Sequence, residues 1–252
     1  MTNKPSDTIS SLAKGLRVLE CFGAETPKLS ITDTAKRTGL DRSTARRCLL
    51  TLHAKGYADY DGKFFTLTPR VLRLGLGAIA SLPLPQLVQP WLDQLAEQIG
   101  ESCSVSILDG TEIVYLARAS QKRVMSIGLM PGSRLPAHCT SMGRVLLANM
   151  PRVEAQAIIE ASDVAPRTVH SVTDPVSIMA RIDQASTQGY SIVDQEVEIG
   201  LYSLAVPLVN QSGRVVAALN TGMAAARSHT EVAVSVYLPK LLNVQSGLKR
   251  IL

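Results

Sequence analysis

Long apolar runs are missing from this chain. No stretch of about 18 uncharged apolar residues occurs, the length that a membrane-crossing helix requires. The most apolar patch, Leu74 to Leu87, is short and broken by Pro83 and Pro85. Aromatic residues are scarce, at 4% of 252 residues, so the cores must be mainly aliphatic. The four cysteines, Cys21, Cys48, Cys103 and Cys139, form no CxxC pair, which argues against a structural zinc site or a disulfide framework and fits a reducing cytoplasm. The four histidines, His53, His138, His170 and His229, show no HExxH spacing, so neither a metal nor a cofactor is expected. Asp7, Lys14, Arg17 and Glu20 interrupt any apolar signal-peptide region near the start. What the chain does have is 46% hydrophobic residues against 19% charged, enough for one or two packed domains and too apolar for a disordered chain.

Charge is unevenly distributed. Residues 1–70 carry twelve Lys+Arg against seven Asp+Glu, whereas residues 71–252 carry fourteen of each. The whole net charge of +5 therefore lies in the first quarter of the chain. A localised basic excess is the electrostatic footprint of a nucleic-acid-binding module.

The pattern inside that quarter supports the same reading. Leu12, Leu16 and Leu19 recur at helical spacing and predict an amphipathic helix over Ser10 to Phe22. Ser30 reads as an N-cap for a short helix, Ile31 to Thr38, which Gly39 ends. Asp41 reads as the next N-cap, for a helix from Arg42 to Lys55. Two short helices joined by a glycine-containing turn form the helix-turn-helix signature. On the second helix Ala45, Cys48, Leu49 and Leu52 share the face that must meet a core. The opposite face carries Ser43 and Arg47, flanked by Thr44 and Arg46, with Arg42 at the start. Hydroxyls and arginines there are suited to base edges and phosphates in a major groove. Asp61-Gly62 between Tyr57–Tyr60 and Lys63–Thr66 predicts a type I′ hairpin, a wing with Lys63 near its tip for a phosphate contact. After Thr68-Pro69, the apolar series Val71, Leu72, Leu74, Leu76, Ile79 predicts a connecting helix that packs on a second subunit.

From Leu87 an amphipathic helix runs to Gly100. The periodicity then switches to strands: Ser102–Leu108 and Glu112–Ala117 about an Asp109-Gly110 turn, then Val124–Leu129, Tyr190–Asp194, Ser203–Val209 and Val215–Thr221. Helices are predicted at Met142–Ala148, Val153–Glu160, Val176–Gln188 and Glu231–Leu248. The fold class is thus α+β, with an antiparallel sheet in the C-terminal domain. Domains are expected at 1–68 (DNA-binding), 69–84 (connecting helix) and 85–252 (effector-binding). Asp194, Glu196 and Glu198 alternate, so either the strand ends there or the three carboxylates are solvated. Ser141-Met142-Gly143 lies where a loop enters a helix, and the free N–H groups and dipole of a helix start favour a carboxylate, helped by hydroxyls of Thr140 or Ser141.

The chain resembles the IclR family of bacterial transcriptional regulators. In the N-terminal segment the resemblance rests on Thr38-Gly39-Leu40-Asp41-Arg42-Ser43-Thr44-Ala45-Arg46-Arg47 and Lys55-Gly56-Tyr57. Further on it rests on Leu135-Pro136-Ala137-His138-Cys139-Thr140-Ser141-Met142-Gly143-Arg144, Asp194-Gln195-Glu196 with Gly200-Leu201, and Ala205-Val206-Pro207. Thr140 to Ala148 is similar to the subgroup controlling aromatic-acid catabolism through the β-ketoadipate pathway. The resemblance implies a winged helix-turn-helix, a GAF-like effector domain, a homodimer or dimer of dimers on a palindromic double-stranded DNA operator, and a small organic acid as effector. It implies effector contacts from Leu135, Ser141, Met142, Asp194, Ser203, Asn220 and Thr221. An enzyme in the C-terminal domain, built on His138-Cys139 with Asp194 and Glu196, is the alternative; it suffers because neighbours in a strand point to opposite faces. A third reading, a structural DNA binder with no effector, leaves the large neutral C-terminal domain without a role.

Overall fold

A computed structural model describes residues 8–23, 26–74, 83–120, 128–227 and 229–252. The chain divides into two compact units, Met1–Ser81 and Leu82–Leu252. The connecting-helix expectation is only partly covered. Thr68 caps a single 3-10 turn, Pro69–Val71, and the chain stays helical to Leu74, but Gly75, Gly77 and Ile79 lie outside the described residues.

The first unit contains helices α1 (Ser10–Glu20), α2 (Ile31–Thr38) and α3 (Arg42–Ala54) and strands β1 (Lys28–Leu29), β2 (Ala58–Tyr60) and β3 (Phe65–Leu67). Ser30 and Asp33 form a capping box at the start of α2, and Gly39 ends that helix at φ 68°. A residue with a Cβ is strained in that left-handed conformation, so the turn between the two helices depends on glycine. Val18, Leu49, Ala58 and Phe65 make the small core, with Ala45 buried beside them. The leucine stripe of α1 is not part of that core. Leu12 and Leu16 are 59% and 49% exposed and line an open groove with Leu19, Cys48, Leu52 and Leu74. The wing also departs from expectation. Tyr60 pairs with Phe65, so four residues close the hairpin instead of two. Asp61 accepts the N–H groups of Lys63 and Phe64 on Oδ1, which fixes the wider turn.

The second unit is an α+β domain built on one antiparallel sheet of order β6-β5-β4-β9-β8-β7. Its strands are β4 (Ser102–Asp109), β5 (Glu112–Ala119), β6 (Arg134–Pro136), β7 (Ser191–Asp194), β8 (Leu201–Val209) and β9 (Val215–Ala224). The predicted Val124–Leu129 strand falls largely outside the described residues, and β6 carries no clear signal in the sequence. One sheet face, with Cys103, Val105, Leu204 and Leu219, packs against α4 (Pro83–Ile99) and α8 (Leu238–Leu248). The other, with Ile113, Tyr115, Ala205 and Ala218, packs against α5 (Ser141–Ala148), α6 (Arg152–Glu160) and α7 (Pro175–Gln188). Before α8 the helix widens into a π turn over Ala233–Tyr237. Pro239 explains this, because it has no N–H to return to the preceding turn.

Two local features position the functional site. The first is a bulge: Val105 faces Ala117 but Ser106 faces Tyr115, so Leu116 is an extra residue in β5. The bulge reverses the alternation. Tyr115 and Arg118 therefore face the same side despite their odd separation, while Ala117 and Ala119 join the opposite core. The second is Gly143, whose Cβ position collides with the Ala137 backbone carbonyl. Gly143→Ala must push α5 away from the strand that precedes it, and a loss of about 1–3 kcal/mol or more is expected for such overpacking. Chemical unfolding of the variant checks this; a stability within experimental scatter of wild type would contradict the packing.

Candidate DNA interface and effector cavity

The start of α3 is fixed by Asp41, whose Oδ1 accepts Ser43 Oγ at 2.6 Å and the Thr44 N–H at 2.9 Å. The Ser43 hydroxyl and Thr44 amide hold its carboxyl well below the usual carboxylate range. Arg42, Ser43, Arg46 and Arg47 are exposed on the helix. Thr44 is turned inward, 8% exposed, and its hydroxyl accepts Arg47 Nη2 at 3.3 Å. Thr44 therefore sits less openly than the sequence expectation placed it, beside Ala45 and in contact with Arg47. Lys63 is exposed at the wing, with its ammonium 5.0 Å over the Phe64 ring.

In the second unit the sheet floor under α5 is made of small and polar side chains. Cross-strand register lines up Arg118, Ser104 and Asn220 in one row and Ser102, Gly222 and Ser203 in the next. Small residues leave space between sheet and helix. That space is a small, partly enclosed cavity of about 30 Å³. Tyr115, Leu135, Met142 and Leu201 form its apolar walls, and Val197 closes it from the loop between β7 and β8. Arg118 supplies the positive charge and donates from Nη1 to Ser104 Oγ at 3.0 Å. Asn220 Oδ1 is buried and has no hydrogen-bond partner among the described residues. Ser106 donates to Met142 Sδ at 3.1 Å, seating the thioether on the floor.

The start of α5 forms the roof. Ser141 and Met142 line the cavity as its first helical residues. Thr140 is the N-cap: its hydroxyl accepts the Gly143 N–H at 3.2 Å and donates to the Pro136 carbonyl at 3.0 Å. Thr140 lines the cavity with its hydroxyl already committed, so the helix start and Ser141 remain for a ligand.

Five of the expected effector residues besides Thr140 come together here: Leu135, Ser141, Met142, Ser203 and Asn220. Two do not. Thr221 points to the opposite sheet face, where its hydroxyl donates to the Ser102 carbonyl at 3.3 Å. Strand alternation requires this once Asn220 faces the cavity. Asp194 is exposed at the end of β7, accepts Gln195 Nε2 at 3.2 Å and lines an open polar depression elsewhere. Of the two readings of the acidic series, the structure shows the strand end. The strand ends at Asp194, Gln195 adopts φ 58°, and Glu196 turns into the interior, 5% exposed. There it meets Arg144 in a two-pronged ion pair at 2.7 and 2.8 Å. Glu196 also accepts the Val172 N–H at 3.2 Å, and Arg144 donates to the His138 carbonyl at 2.8 Å.

Arg118, Tyr115, Ser102, Val197, Leu201 and Gly222 were not among the expected contacts. Simple alternation from Ile113 and Tyr115 turns Arg118 outward, and only the bulge brings it in. His138 is held below the ordinary imidazole value by burial and then by the Arg144 charge, and burial pushes the Cys139 thiol up to about 11. Cys139 is not prepared for nucleophilic work, since the thiolate is the reactive form. Among the described residues no group of three or more His, Cys, Asp or Glu could hold a metal, and no helix is long and apolar enough to cross a membrane.

Comparison with known proteins matches residues 11–62 to the IclR helix-turn-helix domain and residues 76–246 to the bacterial transcriptional regulator IclR C-terminal domain. The Pca regulon regulatory protein of Pseudomonas putida is 41% identical over 237 residues, 94% of this chain and 81% of that protein. The p-hydroxybenzoate hydroxylase transcriptional activator of Acinetobacter baylyi is 36% identical over 253 residues, 98% of this chain and 93% of that one. Among solved structures, the inducer-binding domain of the PobR transcription factor from Acinetobacter, a double mutant in complex with 3-hydroxybenzoic acid, has 31% identity and a TM-score of 0.63. That match covers 67% of this chain and 98% of the solved domain. With matches running through both units, the chain belongs to the IclR family of bacterial transcriptional regulators.

Proposed function

We propose that this regulator binds a palindromic double-stranded DNA operator through the exposed side of α3 and senses an aromatic acid, or its dicarboxylate catabolite, in the cavity beneath α5. It acts in the cytoplasm as a homodimer or dimer of dimers and controls catabolic genes. Effector binding shifts the population of one subunit arrangement, and with it the spacing of two recognition helices. The exposed leucines of α1 and Leu74 supply an apolar surface suited to a second copy. The wider domain assignment, 1–68 for DNA and 85–252 for effector, follows the same division of labour.

One observation carries the effector reading: Arg118 stands in the cavity in the same row as Asn220, under the N-terminus of α5. A guanidinium and a helix start are complementary to a carboxylate. Tyr115, Leu135, Met142 and Leu201 suit the ring. The unpartnered Asn220 Oδ1 calls for a donor such as a ring hydroxyl, because a buried acceptor without a partner costs about 1–3 kcal/mol. The Acinetobacter domain solved with 3-hydroxybenzoic acid supports a hydroxylated benzoic acid as the ligand class. The enzyme alternative is disfavoured by burial of the Cys139 thiol, which raises its pKa, and by the diversion of Glu196 into an ion pair.

Titration calorimetry with 4-hydroxybenzoate, 3-hydroxybenzoate and adipate tests the reading. At least one acid should bind, and Arg118→Gln should weaken it by roughly 10- to 100-fold, the worth of a hydrogen bond to a charged group. No heat from any of them, or an unchanged affinity in the variant, would sink it. The same acids should be recovered unaltered after incubation with the protein.

A further inference from the structure

The cavity as it stands is too small for the ligand class assigned to it. An apolar cavity that holds benzene measures on the order of 150 Å³, against about 30 Å³ here. Some wall must move before a ring can enter. Most of the lining is held in place by regular structure. Ser102, Tyr115, Arg118, Leu135, Leu201, Ser203, Asn220 and Gly222 belong to sheet strands, Ser141 and Met142 to α5, and Thr140 is tied by two hydrogen bonds. Val197 is different. It lies in the loop between β7 and β8, and among the described residues no hydrogen bond holds its backbone.

The neighbours of Val197 are anchored, which confines any movement to a short segment. Thr168 Oγ1 donates to the Gln195 carbonyl at 2.7 Å, Ser171 Oγ to the Glu196 carbonyl at 2.8 Å, and Arg144 grips the Glu196 carboxylate. On the far side, Gly200 sits at φ 86° and donates to Gln195 Oε1 at 2.9 Å, closing the neck of the loop. Outside Val197 lies an open depression of about 500 Å³, which His138, Asp163 and Arg167 help to line. Val197 lines both spaces.

We propose that Val197 is the gate between this outer depression and the effector cavity, so that an aromatic acid passes from the depression inward when Val197 swings aside. The proposal rests on the cavity being the effector site. It assigns the outer depression a separate part, as a vestibule in which Arg167 attracts the carboxylate and Asp163 opposes it. Glu112, the remaining charged group there, is paired with Arg134 at 2.6 Å. Arg167 forms no ion pair among the described residues and does not line the cavity, so it affects arrival without touching the bound ligand.

Binding kinetics of 4-hydroxybenzoate to the full chain, by stopped flow, separate a gate from a wall. Losing a wall contact speeds dissociation alone, whereas loosening a gate speeds both directions. Val197→Ala should raise the association and dissociation rate constants together by roughly 3- to 10-fold, and Val197→Phe should slow both. Arg167→Gln should slow association about 3-fold at low salt, leave dissociation unchanged, and lose its effect as salt screens the charge. Association rates that ignore both Val197 substitutions overturn the gate while leaving the effector site intact. A Val197→Ala protein that changes in dissociation alone also overturns it. Absence of binding to the wild-type protein removes the effector reading and the gate with it.

Discussion

Replacing Glu196 with alanine is expected to lower the stability of the C-terminal unit by about 3–5 kcal/mol, the range for stripping one partner from a buried ion pair. Arg144 is 1% exposed at its side chain, and its guanidinium has both prongs on Glu196. Without the carboxylate, that charge stays buried with only the His138 carbonyl to accept from it. The loss spreads, since the Val172 N–H also gives up its acceptor. The chain's single tryptophan, Trp91, lies in α4, so fluorescence during thermal unfolding reports on this unit. A fall in its midpoint on the order of 10 °C is expected for a unit of this size. Asp183→Ala supplies the contrast. Its pair with Arg152 at 3.1 Å joins side chains that are 49% and 61% exposed, and water screens most of the attraction. That variant should lose less than about 1 kcal/mol. The double substitution Arg144→Met with Glu196→Leu should recover much of the loss, because two apolar side chains leave no charge behind. Equal, small effects at Glu196 and Asp183 would mean that the interior pair is not desolvated as described.

The contrast between these two acidic residues also marks what can be read from a sequence. Helix positions in both units were legible, because caps at Ser30 and Asp41 and apolar spacing are local signals. The roof of the cavity was legible because Ser141-Met142-Gly143 reads as a loop entering a helix. Glu196 was not. An alternating acidic series looks like a solvated edge, and nothing nearby in sequence reveals that Arg144, 52 residues away, pulls one member inside. Arg118 was hidden by a different cause. The bulge at Leu116 is a property of how β5 pairs with β4, so a reading of β5 alone assigns Arg118 to the wrong face. Thr221 illustrates the reverse error: the resemblance implied both it and Asn220, but adjacent strand residues cannot both face one cavity. In the first unit the leucines of α1 showed helical spacing without showing what they cover, and periodicity alone does not distinguish a core from an outward apolar groove.

The paired substitution Arg46→Ala with Arg47→Ala should weaken binding to a duplex selected by the wild-type protein from a random-sequence pool by roughly 100- to 1,000-fold, at about 1–3 kcal/mol for each well-placed arginine. Both side chains are exposed on α3. They lie away from Ala45 and Leu49, which pack into the small core, so the fold should survive the change. The salt dependence then tells which part of the DNA each meets. A lost phosphate contact reduces the slope of log affinity against log salt by about 0.9, whereas a lost base contact lowers affinity with little change of slope. Arg47 is steadied by Thr44, and a rigid guanidinium suits a two-pronged contact with guanine. Arg47→Ala alone should therefore relax discrimination between duplexes, and Thr44→Val should reproduce part of that effect by freeing the arginine. Arg46 has no such tether among the described residues, so its removal should act more evenly across sequences and appear in the salt slope. An electrophoretic titration at several salt concentrations distinguishes these outcomes. Wild-type affinity and slope in the double variant would mean that this side of α3 does not meet DNA.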